Sequence, residues 1–507
     1  MNDLMQLAYA RATTTNSLYT RHRDRWQFLL NSYVGGEEYR KGAYLTRYQL
    51  ETDSEYAARL KTTPLDNQCR SIISLYISFL FRQPIRRELG TLESVAWIED
   101  FQRDTDYEGR NFTAFMKDVS TWTQVFGHSW VCISKPNVGA QTAYDEIVQA
   151  VRPYACVLTP LAVVDWAWER LPNGATVLRM IRYIEEINDT QTVIKEWDRE
   201  LIRTTIIDNR NSSASDYYEE PNGLGELPFV LVYADRSPVR GIGQSVIDDI
   251  ADQQRAEYNE LSEIDQSIRL DSHPSLVATQ QTEIGTGAGA LIRLPENLDP
   301  ALKPYVLEFS GAPVQNIYAS IQNRRSMIDS MANVGSVRAT ETREMSGIAI
   351  ETEFQLLNAK LSSIADNLEL AEEQIWRWVA RYQGLEWTGT IDYPDNFAMR
   401  NVDGEIDKLS RVYATVQDPA LRRAIEHELA ELVDLDLEEY SGSSGSEADE
   451  EMQHETTTPL DREQHIQDMI MEGYEDSEIL ARHPEITAAD ILAAKQALLN
   501  LPQGDSQ

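Results

Sequence analysis

Asp104, Asp106, Glu108 and Gly109 stand at the spacing of the first ligands of a calcium loop. A hard cation needs oxygen donors gathered around a tight turn, and alternate acidic residues followed by glycine supply that pattern. The position of the closing bidentate carboxylate is held by Phe115, so a closed coordination shell is not expected. Gly241-Ile242-Gly243 precedes a helical pattern, as the phosphate-binding turn of a dinucleotide fold does, but Val246 replaces the third glycine. Gly285, Gly287 and Gly289 lie in a turn-rich stretch, where backbone freedom explains them. The seven histidines show no ligand spacing, and His128, beside Trp130, reads as a structural residue. Cys69, Cys132 and Cys156 form no CxxC pair and read as reduced, mostly buried thiols. There is neither a P-loop nor a His-Glu-x-x-His pair, so no catalytic residue, cofactor or metal is expected.

The charge balance narrows the classes further. The chain has 507 residues, with 46 Lys and Arg against 82 Asp and Glu, a formal charge of −36. A surface that grips nucleic acid needs clustered cations, and so does one that docks on anionic lipid. Neither fits this composition. Hydrophobic content of 42% is that of a globular protein. The longest nearly apolar stretch, 72–81, is too short to span a bilayer. The first residues lack a basic region followed by an apolar run, so synthesis in a reducing cytosol is expected.

Hydrophobic spacing gives the elements that must position any site. Helices are predicted over 21–33, 54–61, 66–82 and 111–126, ending at Gly35-Gly36, before Pro84 and at Gly127. From 129 to 233, β-branched and aromatic runs alternate with turns, which predicts an antiparallel, meander-like sheet ending in a strand at 227–233. The polar stretch 209–225 reads as a loop. A strongly acidic helix is predicted over 242–270, then a Pro- and Gly-spotted span with short strands, then a helix over 314–334. The positions Ile350, Phe354, Leu357, Leu361, Ile364, Leu368, Ala371, Ile375, Trp378 and Tyr382 step by four and three in strict alternation. Such a stripe predicts a helix about 50 Å long that serves as a packing spine. An amphipathic helix is expected over 419–432. A Ser/Gly/acid-rich linker fills 438–458, and three short helices follow. The last of these, 487–499, carries one cation, Lys495, so the terminal segment reads as a docking module rather than a DNA reader.

Between the last two long helices lies the polar loop 335–347, with Arg338 and Arg343 around Glu341 and Glu344. By itself it reads as a solvated hairpin with internal ion pairs. Its setting gives it more interest. Taken in order, the elements from about residue 21 to 437 resemble the portal proteins of tailed bacteriophages. The residues that carry the likeness begin with Trp26, Tyr33, Gly35-Gly36, Tyr44-Leu45, Glu55-Tyr56-Ala57-Ala58-Arg59-Leu60, Asn67 and Phe81-Arg82-Gln83-Pro84. Val164-Asp165-Trp166 with the Gly174 turn, His273-Pro274-Ser275-Leu276 and Ser346-Gly347-Ile348-Ala349 continue it.

The resemblance implies an α+β fold: a helix-rich wing with an antiparallel sheet, a two-helix stem, a small clip, and a long helix returning to wing and crown. It would divide the chain into a wing (1–235), stem helix (236–271), clip (272–312) and second stem helix (313–334). The tunnel loop (335–347) and the long wing helix with crown-side helices (348–437) would follow. The acidic linker (438–459) and the C-terminal module (460–507) lie outside the shared pattern. Such proteins form rings, usually of twelve subunits, at one capsid vertex of the virion. Double-stranded DNA is packaged and ejected through the axis. The terminase large subunit, and later head–tail adaptor proteins, dock on the clip, and capsid or scaffolding protein surrounds the ring. Carried onto this chain, the resemblance makes Arg338, Glu341, Arg343 and Glu344 tunnel-loop residues. Arg324 and Arg325 become stem candidates facing the channel, or partners of acids on a neighbouring subunit. Leu357, Leu361, Ile364, Leu368 and Ile375 become subunit-packing positions. Another virion structural or connector protein, and an intracellular enzyme whose site exists only in three dimensions, remain as alternatives.

Overall fold

In the computed structural model the described residues are 2–136, 149, 151–272, 275–278, 283–284, 292–294, 297, 299, 302–307, 312–338 and 347–397, with scattered helical positions between 409 and 495. The fold is α+β. It divides into two compact units, Met1–Ala398 and Met399–Gln507. In the first, helices α1 (Asn2–Ala12), α2 (Ser17–Val34), α3 (Gly36–Lys41), α4 (Asp53–Thr62), α5 (Gln68–Leu80), α6 (Ile98–Arg103) and α7 (Phe112–Phe126) come before most of the strands. Strand β1 (Arg86–Glu88) lies among them. Strands β2 (His128–Ser134) to β9 (Phe229–Tyr233) follow, with β3 (Tyr154–Leu158), β4 (Val163–Arg170), β5 (Thr176–Ile187), β6 (Gln191–Asp198), β7 (Leu201–Asp208) and β8 (Ser213–Pro221) between them. Helix α8 (Asp248–Ser272) comes next, then the short strands β10 (Ser275–Val277), β11 (Glu283–Ile284), β12 (Ile292–Arg293) and β13 (Tyr305–Leu307). Helices α9 (Ala312–Met331), α10 (Gly335–Arg338) and α11 (Gly347–Arg381), and strand β14 (Thr390–Asp392), complete the unit. In the second unit, Thr415 bonds back to the Arg411 carbonyl, and the Arg422 guanidinium lies 5.1 Å from the Tyr413 ring centroid. No helix among the described residues is long and apolar enough to cross a membrane.

Local chemistry explains the helix ends. Asn16 and Asn111 each accept a backbone N–H of the first turn of α2 and α7, and Thr52 with Glu55 forms a capping box on α4. Gly35 and Gly127 end α2 and α7 with positive φ. The predicted meander divides in two. Strands β4 to β8 form a five-stranded antiparallel sheet in chain order, while β2 pairs with β3 and β9 in a separate three-stranded one. The expected loop 209–225 contains β8. Its alternation was hidden by the register shift where Ile206 and Ile207 face Asp216 and Ala214. As an edge strand it carries acids, which keep other edges away. Helix α1, which no strong periodicity announces, sets Ala12 against Ile194 and Ile207 of that sheet.

The heptad stripe of α11 forms the spine of the main core. Leu357, Leu361, Ile364, Leu368 and Ile375 are all buried with residues of α5, α7, β2 and β9. These side chains were expected to pack subunits together; they are used up inside their own chain, because the stripe meets the three-stranded sheet. Burial of each contributes about 2 kcal/mol. Exposed apolar positions on the same helix are Leu356 and Leu370. The core also holds charge. Fully buried Glu372 accepts hydrogen bonds from Arg87 (2.6 and 3.2 Å), Trp376 Nε1 (3.2 Å) and the Tyr393 hydroxyl (2.7 Å), joining β1, α11 and the segment after β14.

Gly241-Ile242-Gly243 serves packing. A methyl group on Gly243 would run into the Gly127 carbonyl, and the Gly243 N–H bonds to His128 Nδ1 at 3.2 Å. The His128 ring meets that of Trp26 in a T-shaped contact, 5.5 Å between centroids. Burial, helped by His22, lowers its pKa to about 3. Above the ordinary histidine pKa, near 6.5, both folded and unfolded states are neutral there, and the folded state keeps its full stability. As pH falls toward about 3 the unfolded chain takes the proton first and stability is lost. Thermal unfolding of wild type should therefore show up to about 1.4 kcal/mol per pH unit more acid sensitivity than His128→Gln between pH 6 and 4. Parallel curves for the two proteins would refute this account.

Candidate functional site

Helices α8 and α9 form an antiparallel hairpin, and its polar seam is the most densely cross-linked feature near the predicted site. Arg324 Nε donates to Glu260 at 2.9 Å and its Nη1 to Gln253 at 3.0 Å. Ser320 donates to the same Glu260 at 2.8 Å. The next residue, Arg325, bonds one turn back on α8: its Nε meets Glu257 at 2.9 Å and its Nη2 meets Asp66, ahead of α5, at 2.6 Å. The strand pair β10–β13 continues the hairpin beyond the helices in the same antiparallel sense. Strands β11 and β12 pair within the span between them.

The reason for the seam lies in α8 itself. Its sequence, DDIADQQRAEYNELSEIDQSIRLDS, holds eight acids in 25 residues. Such a helix cannot pack against neighbours without cations, because a buried carboxylate without a partner costs several kcal/mol. Glu257 is 1% exposed. Burial pushes its carboxyl above the usual range, and Arg325 opposes that. Asp329 on α9 is likewise raised by burial and lowered by Arg338 and Arg325.

The hairpin root is fixed to the helical layer by a second set of contacts. Arg25 of α2 donates to Asp248 (2.7 Å) and Asp252 (2.9 Å). Buried Arg59 of α4 makes a two-pronged pair with Glu51 (2.7 Å each) and donates to Ser262 of α8 at 3.1 Å. Its guanidinium also lies 4.0 Å from the Tyr48 ring centroid. Gln254 bridges the Cys69 N–H and the Ser32 carbonyl. These residues were not singled out as a site from sequence. Arg59 lay inside the quoted Glu55–Leu60 motif, but Arg25 and Gln254 carried no local signal, since their partners are more than 180 residues away.

The predicted site residues are placed unevenly. Arg324 and Arg325 are half-buried and engaged with acids of their own chain. Gly335–Arg338, expected as the start of a loop, is a short helix. Arg338 points back, meeting Asp329 at 2.8 Å and the Gln68 side chain. Residues 339–346, with Glu341, Arg343 and Glu344, lie outside the described residues, as do the acidic linker and most of the C-terminal module. The acids of the calcium-like loop are taken up locally: Asp104 accepts the Gly109 N–H at 2.8 Å and pairs with Arg152, and Asp106 pairs with Arg110. Among the described residues no group of three or more His, Cys, Asp or Glu is arranged to hold a metal.

No family model and no curated protein matches the chain. Among solved structures it is similar to the neck of an empty GTA particle computed with C6 symmetry, with a TM-score of 0.44 and 11% identity over 78% of this chain and 99% of that chain. It is also similar to the neck of a native GTA particle computed with C12 symmetry, with a TM-score of 0.41 and 10% identity over 78% and 98% of the two chains.

The seam makes a measurable prediction. Arg325→Ala strands the buried Glu257 carboxylate and should cost about 2 kcal/mol, less than a fully buried pair because Arg325 is 38% exposed. Adding Glu257→Gln should recover part of that loss. A urea-denaturation double-mutant cycle reads the coupling, and a coupling of zero would remove the seam from the hairpin's energetics.

Proposed function

We propose that the chain is a portal-type subunit: it assembles into a ring at one vertex of a phage-like capsid and gives double-stranded DNA a passage in and out. The observation that carries the reading is the order α8, β-containing span, α9, short helix α10, long helix α11. A zipped helix hairpin with strands at its far end is what a stem carrying a clip requires, and it matches the order that the sequence resemblance implied. The packaging ATPase and then adaptor proteins would dock on the 272–312 span.

The proposed role involves no bond-making step. A conduit must admit a polyanion with one charge per about 1.7 Å and not hold it. Twelve copies at −36 each give a wall of about −430, which repels DNA from its surface. A few cationic rings would centre the duplex. In this reading Arg324, Arg325 and Arg338 stiffen the hairpin, because their guanidinium groups are already committed to Glu260, Glu257 and Asp329. Arg343, between Glu341 and Glu344, is then the tunnel-loop cation proposed to meet DNA.

Negative-stain imaging of the purified full chain tests the class: rings with a central hole and about twelve-fold symmetry are expected, and compact monomers would overturn the reading. Within it, Arg343→Ala should lower DNA retention in filled heads, while Arg338→Ala should lower thermal stability. Unchanged retention in Arg343→Ala would remove that residue from the channel.

A further inference from the structure

Cys132 of β2 and Cys156 of β3 stand directly opposite each other in an antiparallel pair. Residues opposed in this way put their side chains on the same face of the sheet. The backbone sets their distance. The Ile133 N–H bonds to the Pro228 carbonyl, and the Ala155 N–H bonds to that of Thr105, so both look away from the β2–β3 seam. Strand alternation then turns the N–H and C=O groups of Cys132 and Cys156 toward each other. They form a hydrogen-bonded pair, with Cα atoms about 5.5 Å apart. That lies inside the roughly 4.4–6.8 Å that a disulfide spans. Their Cβ atoms, about 5.5 Å apart, must close toward about 3.8 Å, and strain of this kind makes a disulfide easier to reduce.

The surroundings place the pair between two sheets. Trp130, on the same face of β2, meets Trp166 and Trp168 of β4. Phe229, opposite Cys132 on β9, meets Tyr183 and Trp197 of the five-stranded sheet. The Cys132 thiol is within hydrogen-bond reach of Cys156 and of the Tyr183 hydroxyl. Burial pushes that thiol up, Cys156 adds to the rise, and the Lys195 ammonium, held by Glu185 at 2.7 Å, opposes it. Cys132 is buried and Cys156 partly exposed, so a reagent reaches Cys156 first. Cys69, the third cysteine, is buried on α5, where its N–H bonds to Gln254.

We propose that Cys132 and Cys156 form a reversible dithiol–disulfide couple that locks β2 to β3 when the chain meets an oxidising medium. The oxidant is a small disulfide such as oxidised glutathione. The Cys156 thiolate, its proton lost to water, attacks one sulfur of that disulfide and expels a small thiolate, which takes up a proton. Cys132 then attacks the Cys156 sulfur, forms the protein S–S bond and expels the second small thiolate, which takes the Cys132 proton. Two cysteine thiols are oxidised, and one small disulfide is reduced to two thiols. The bond sits beside Ile133, whose carbonyl accepts the hydroxyl of Tyr382, just past α11. Closing it stiffens the sheet beneath the α11 spine. The couple rests on strand geometry alone. Its use, closure once an assembled particle leaves the reducing cytosol, rests on the virion reading.

The test equilibrates the full chain with mixtures of oxidised and reduced glutathione, then traps free thiols with N-ethylmaleimide in denaturant and reads the intact mass. Reduced protein should take three alkyl groups, one on each cysteine. Oxidised protein should take one, on Cys69, and peptide mapping should find a 132–156 bridge. The ratio of bridged to open chain should rise about tenfold for each tenfold rise in oxidised glutathione over the square of the reduced form, as an internal dithiol requires. Cys132→Ala should instead accumulate a mixed disulfide on Cys156. Three alkylated cysteines at every ratio, a bridge through Cys69 or between chains, or dependence on the first power of reduced glutathione would overturn the proposal. So would a bridge that only dithiothreitol reopens, since that bond would be permanent. No readout depends on ring formation, so a wild type that stays monomeric sinks the portal reading and not the couple.

Discussion

A buried carboxylate has to find a cation, and that constraint organises this protein more than any single patch of core. An excess of acids as large as this would resist compaction if the arginines were spent on the surface. Several of them sit instead at contacts between elements. Arg25, Arg59, Arg324 and Arg325 all converge on α8, from α2, α4 and α9. Arg87 meets Glu372 in the main core, and Arg182 and Arg203 meet Glu196 within the five-stranded sheet. The choice of arginine has a physical basis, since its planar fork bonds two oxygens at once and loses hydration more readily than lysine.

The same constraint links stability to the proposed role. A hairpin that projects from a body and has to stay straight cannot rely on a thick apolar core, because two helices bury only one seam. Cross-links from Arg324 and Arg325 fix its register, and the contacts of Arg25, Arg59 and Gln254 fix its root. The hairpin can then stay acidic overall, as the proposed conduit would require.

Much of the framework was legible in the amino-acid order. The four predicted helices of the first third appear within a few residues of their expected limits, because apolar spacing and caps are local signals. The heptad stripe of α11 also predicted its helix. What the stripe packs against was not legible: periodicity says that a face will be buried, and only the presence of β2 and β9 beneath it says against what. Strand β8 was missed because a register shift erased its alternation, and α1 because its burial depends on a sheet that forms about 180 residues later.

The amino-acid order fixes most element types, their succession and the acidic balance, since each depends on residues near one another or on a sum over the chain. Folding, by contrast, settles which of the described cations meet a carboxylate. Arg324, Arg325, Arg338 and Arg236 look alike in sequence, each exposed to choice. Folding brings Glu260, Glu257 and Asp329 to the first three and an aromatic ring to the fourth. A charge-assisted hydrogen bond needs its atoms within about 3 Å, so only spatial neighbours settle it. For the same reason the calcium-like acids Asp104 and Asp106 are taken up by Arg152 and Arg110, spatial neighbours that close the loop without a metal ion.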